Sequence, residues 1–189
     1  FKLDPMDTDT YVNCKTEFFA VVTNMSTGDA EYKSIYDLKE EKCMEYLRAS
    51  GSLPFLSKPV IVDNTPYLDG GIADSIPVKK AIEDGYDKII VVLTRPKGYR
   101  KSGSIHGAEI FYKKYPRFAK ALNSRNKMYN EQCEFIEKLE KDGKIIVLRP
   151  SEHIEVKRTE KDKEKLQKMY DLGIKDCSEK IDIIKSFLK

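Results

Sequence analysis

The segment PVIVDNTPYLDGGIADSIPVKKAIEDGYDKIIVVL, residues 59–93, restricts the fold more than any other part of the chain. Two short apolar runs, Ile61-Val62 and Tyr67-Leu68, flank the turn-forming residues Asp63-Asn64-Thr65, the pattern of a β-hairpin. Asp69 ends the second run, and Gly70-Gly71 follow at once. Glycine loses more backbone entropy on folding than any other residue, so a pair belongs where the backbone must do something unusual. The pair predicts a sharp turn with positive φ at one glycine or both. Asp74 or Ser75 then offers a helix cap, Pro77 suits a first turn, and Gly85 suits an end. The apolar run at 89–93 reads as a buried strand. Tight turn, short helix and apolar strand together predict an α/β fold with a mainly parallel sheet flanked by helices.

Other segments extend this pattern. TEFFAVVTNM (16–25) has the continuous apolar centre of a strand covered on both faces, and STGDAEYKSI supplies a turn and a polar edge strand. DLKEEKCMEYLRAS places Leu38, Met44 and Leu47 on one helical face before Gly51. Beyond Pro96 lie a basic loop, a helical region at about 108–142 interrupted near Pro116, and the strand KIIVLRP. Two closing helices are expected around Gly173. The predicted division is an α/β part at 1–106 and a mostly helical extension with one further strand at 107–189.

Composition narrows the function classes. The 189 residues are 40% hydrophobic and 34% charged, as in a globular chain with a sizeable core. Lys and Arg number 34 against 31 Asp and Glu, a formal net charge of +3. That balance points away from nucleic acid, which selects basic stripes. No apolar run approaches the about 20 residues that span a bilayer. Cys14, Cys43, Cys133 and Cys177 lie far apart without C-x-x-C spacing. Free thiols in a reducing compartment such as the cytoplasm are expected, with no metal or cofactor.

Asp69 is the main chemical candidate. A carboxylate beyond the end of a strand stands where open α/β sheets gather ligands; a plain Asp-Gly turn is the alternative. Asp69 and Asp74 fall short of the usual six oxygens of a calcium site. His106 and His153 have no ligand spacing, and Ser50 and Ser52 read as turn residues. Arg95, Lys97, Arg100 and Lys101 form a basic loop that would suit an anionic lipid or protein partner, or simply solvent.

The ordered run LRASGSLPFLSKPVIVDNTPYLDGGIADSIPVKKAIEDGYDKIIVVL resembles the C-terminal half of the patatin-like phospholipases. YKKYPRFAKALNSRNKMYNEQCEFIEKLEKDGKIIVLRP is similar to the tail of a bacterial subgroup of that family. The resemblance implies a lipid acyl hydrolase with a Ser-Asp catalytic dyad, in which Asp69 is the acid–base partner and Gly70 and Gly71 support it. It also implies a lipid or acyl-ester substrate and peripheral membrane contact. Among the ten glycines no Gly-x-Ser-x-Gly occurs; GSIHG at 103–107 has Ser104 at the second position, not the third. The opening FKLDPMDTD lacks an initiator methionine. The expectation is therefore a C-terminal part of such an enzyme, inactive alone, whose nucleophile lies upstream. The alternative is a non-catalytic α/β module binding an anionic partner through the basic loop.

Overall fold

The computed structural model describes residues 7–103, 105, 107–156 and 160–189. The order is α1 (Thr8–Asn13), β1 (Phe19–Asn24), β2 (Ala30–Ser34), α2 (Glu41–Ser50), β3 (Val60–Val62) and β4 (Thr65–Asp69). A single 3-10 turn follows at Gly70–Ile72, then α3 (Val78–Glu83), β5 (Ile89–Val92), α4 (Ala108–Phe111), α5 (Pro116–Lys141), β6 (Ile145–Leu148) and α6 (Lys163–Leu188). Packing divides these elements into two compact units that interleave along the chain. The first takes residues up to Ile76 together with Ser102–Asn130; the second takes Pro77–Lys101 and Glu131–Lys189.

The first unit is built on a four-stranded sheet in the order β2-β1-β4-β3, and every neighbouring pair is antiparallel. This corrects the expectation of a mainly parallel sheet. The connections explain two of the three pairs: β1 reaches β2 across residues 25–29, and β3 reaches β4 across Asp63-Asn64 alone. Links this short join only antiparallel neighbours, because a parallel crossover needs a dozen residues or more. Asp63 (φ 48°) and Asn64 (φ 61°) both take left-handed backbone, the geometry of the two-residue hairpin turns that match strand twist.

Both faces of this sheet are covered. Ala20, Val22, Val60, Val62 and Tyr67 pack with Cys43, Tyr46 and Ala49 of α2. Leu68, one residue after Tyr67, belongs to a separate cluster with Met25, Ile72, Tyr112, Phe118 and Leu122. Alternation along β4 thus feeds two cores. The buried stripe of α2 is Cys43, Tyr46 and Ala49, so the predicted face of Leu38, Met44 and Leu47 is rotated; Leu38 precedes the helix.

In the second unit β5 and β6 form a parallel pair, Ile89 opposite Ile145 and Val92 opposite Leu148. Three of the four residues of β6 are buried, whereas in β5 only Val91 is, contrary to the fully buried strand expected. Helix α6 runs unbroken through Gly173 instead of splitting into two helices. Asp162 caps it, accepting from the N–H groups of Glu164 and Lys165. Among the described residues no helix is long and apolar enough to cross a membrane.

Candidate active-site carboxylate

Asp69 stands where β4 gives way to the 3-10 turn. Its backbone is fixed on both sides. The Asp69 N–H donates to the Ser52 carbonyl at 2.9 Å. The fully buried Thr23 hydroxyl donates to the Asp69 carbonyl at 2.8 Å. The side chain caps the turn: Oδ1 accepts the Gly71 N–H at 2.7 Å. Among the described residues nothing donates to Oδ2, and the residue is half-buried. One oxygen therefore orients the carboxylate while the other stays open to a proton or a ligand.

The two glycines are needed for crowding, not for handedness. Neither Gly70 nor Gly71 lies in the left-handed region, which corrects the expected positive φ. A β-carbon on Gly70 would sit 2.2 Å from the Val21 carbonyl oxygen and 2.4 Å from its carbon. The turn begins against the backbone of β1, and only glycine permits that approach. A β-carbon on Gly71 would lie 3.1 Å from Asp69 Oδ1 and 3.7 Å from an Arg125 guanidinium nitrogen. Gly71 thus keeps clear the space beside the carboxylate. Arg125, on α5, holds the far side of the turn by donating Nε–H to the Gly71 carbonyl at 2.8 Å, and Ser75 Oγ donates to the same oxygen at 2.7 Å.

Asp74 is not brought together with Asp69 as a cation site. Tyr32 Oη donates to its Oδ2 at 2.5 Å, and its Oδ1 accepts from the Ile76 N–H at 3.2 Å. It does not cap α3 either, and nor does Ser75: the cap position is Pro77, without a side-chain bond. Among the described residues no three or more His, Cys, Asp or Glu side chains converge as metal ligands. Ser52 is buried and donates Oγ–H to the Arg48 carbonyl at 2.8 Å, a turn role; Ser50 is the last residue of α2. His153 is exposed, while Ser104 and His106 lie outside the described residues.

The basic loop is partly committed. Arg100 makes a forked pair with Glu137, at 3.1 and 3.0 Å, and its hydrogen bonds hold the Glu137 carboxyl below the usual carboxylate range. The Arg95 guanidinium lies 5.0 Å from the centre of the Tyr99 ring. Lys101 is also engaged.

A second polar group lies in the same sheet as Asp69. Glu31 accepts from Asn24 at 2.6 Å and Tyr67 at 3.1 Å and pairs with Lys33 at 2.5 Å. Burial alone would raise the Glu31 pKa, but the hydrogen bonds from Lys33, Asn24 and Tyr67 outweigh it and hold the carboxyl below its ordinary value. Burial likewise opposes charge on Lys33, yet Glu31 and the tyrosines keep its pKa raised.

Residues 6–82 match the patatin-like phospholipase family. The patatin-like segment contains the whole four-stranded sheet, Asp69 and both glycines. Residues 115–189 match a domain of unknown function, DUF6363. Over 58 residues the chain is 38% identical to the uncharacterized protein YjjU of Escherichia coli (strain K12). That alignment takes in 30% of this chain and 16% of the E. coli protein, so the chain matches only a small part of that relative's length.

Sequence reasoning missed Thr23, Tyr32 and Arg125. Each reaches the site from 42 to 54 residues away, and no local spacing announces such contacts.

Proposed function

We propose that this chain is the acid–base half of a patatin-like serine acyl hydrolase acting on lipid esters, with Asp69 as the dyad carboxylate and its serine on a Gly-x-Ser-x-Gly segment upstream. The observation that carries this reading is the Asp69 carboxylate itself: anchored through Oδ1, open at Oδ2, and set in the patatin-like segment. In the reaction Asp69 takes the serine hydroxyl proton as Oγ attacks the ester carbonyl. The tetrahedral intermediate collapses, the C–O bond to the alcohol breaks, and Asp69 returns the proton to the departing alkoxide. Asp69 then takes a proton from water, which attacks the acyl-serine ester. Collapse releases the fatty acid and returns the proton to serine.

The alternative of an anionic-partner module working through the basic loop draws less support, since Arg100 is already paired with Glu137.

The test is a pair of substitutions in the full-length protein, assayed on phospholipid and on short acyl esters. Asp69→Asn keeps the shape but removes the base, so kcat is expected to fall at least about a hundredfold, within the range that general base catalysis supplies. Asp74→Asn is expected to leave turnover near normal, because the amide oxygen still accepts the Ile76 N–H and its NH2 group donates to Tyr32 Oη in place of the bond it replaces. Wild-type turnover in Asp69→Asn would overturn the assignment.

A further inference from the structure

We propose that the surface around Phe55 and Phe111 docks this protein on an anionic lipid bilayer, an inference that takes its purpose from the lipid-hydrolase reading. Phe55 has φ 67°, a left-handed conformation that costs a bulky side chain energy. It is held there by its own N–H, which donates to Tyr112 Oη at 2.8 Å. Tyr112 is in turn buried, with its ring 4.8 Å from Phe118. The core of the unit therefore maintains a strained residue that remains 41% exposed.

That ring does not stand alone. It meets Phe111, 63% exposed, edge to face at 5.2 Å. Their chain neighbours Leu56 and Ile110 are 77% and 83% exposed. Scattered apolar side chains on a surface need no explanation, but four large ones in two touching segments do. Aromatic and aliphatic groups of this kind suit the boundary between headgroups and acyl chains.

Charge identifies the occupant. Lys58 follows Leu56 by two residues, and Lys113 and Lys114 follow Phe111 by two and three; all three are exposed, and no ion pair engages them among the described residues. Glu109 is the one acid in residues 107–120 and accepts a hydrogen bond from Asn123. A second copy of the chain would set these lysines against their equivalents. An anionic bilayer complements both the cations and the apolar centre. The loop bearing Phe55 starts at Ser52, whose carbonyl accepts the Asp69 N–H, so the docking loop is tied to the backbone that carries the candidate carboxylate.

The test is co-sedimentation of the 189-residue chain with vesicles of equal parts phosphatidylglycerol and phosphatidylcholine, and with phosphatidylcholine alone. The chain is expected to bind the anionic vesicles more strongly. Joint Ile110→Ser and Phe111→Ser should weaken that binding at least about tenfold with an unchanged melting temperature. Joint Lys113→Glu and Lys114→Glu should also weaken it about tenfold and remove the preference for anionic lipid. The lysine pair decides the matter if the serine pair fails to fold. Absence of binding by the parent chain, or binding unaltered in the pair that decides, overturns the proposal. So does a dimer that the serine pair dissociates. Asp69→Asn is expected to bind vesicles like the parent chain. Lost docking therefore leaves the catalytic reading intact, and retained turnover in Asp69→Asn leaves docking intact.

Discussion

At the residue scale, Gly70 and Gly71 do different work, and alanine separates them. The Gly70 β-carbon would overlap the backbone of β1, which cannot swing aside as a side chain can. Gly70→Ala is expected to destabilise by about 3 kcal/mol, read as a large fall in melting temperature. At Gly71 the nearest atom is the Asp69 carboxylate, at 3.1 Å. Gly71→Ala should cost under about 1 kcal/mol yet, on the proposed function, lower kcat of the full-length protein by displacing Oδ1. Equal stability losses in the two variants would refute this distinction. The motif itself was legible in the sequence, because an acid and two glycines after an apolar run demand a reason. The reason was not legible: crowding against Val21 depends on a strand some 50 residues earlier, and local sequence shows only that glycine is needed.

At the element scale, β2 and α6 carry separate predictions. Glu31 on β2 has its pKa lowered, so its contribution is present above the unfolded carboxyl value and is lost as pH falls through the lower folded value. Lys33 beside it has its pKa raised, so its contribution is full below the unfolded amine value and is lost as pH rises through the folded one. Glu31→Gln should flatten the acid limb of the melting temperature between about pH 5 and pH 2. An unchanged acid limb would show that the network contributes nothing there. In α6, Gly173 is helical with open space where its β-carbon would be. Gly173→Ala is expected to stabilise by about 0.5–1 kcal/mol, measured by chemical denaturation. The elements were largely legible from apolar runs and turn residues. Their pairing was legible only for β3 and β4, where Asp63-Asn64-Thr65 marks the hairpin; the antiparallel partners of β1 are set by contacts and connection lengths that apolar runs alone do not show. Gly173 misled for a related reason, since burial of Leu172 and Ile184 carries the helix across a poor helix former.

At the scale of the whole molecule, the cysteines give a map of access. Cys14 is exposed, Cys177 half-buried, and Cys43 and Cys133 buried; all four are free thiols. The Thr16 hydroxyl and N–H lower the Cys14 pKa, which favours its thiolate. Alkylation followed by mass spectrometry should modify Cys14 first and Cys177 next. Cys43 and Cys133 should react only on unfolding. Early modification of Cys43 would show that α2 opens readily from its sheet.

The interleaving of the two units bears on how such a chain can be taken apart or recombined. The stretch matching the domain of unknown function begins at 115, yet its first sixteen residues carry Phe118 and Leu122, core side chains of the unit that holds Asp69. The patatin-like match ends at 82, inside the other unit. A gene fragment trimmed to either family boundary would therefore encode an unfinished core. Modularity in descent and modularity in folding do not coincide here: no single cut point yields two self-sufficient pieces, and a swapped tail must arrive with side chains that fit the sheet beneath Leu68.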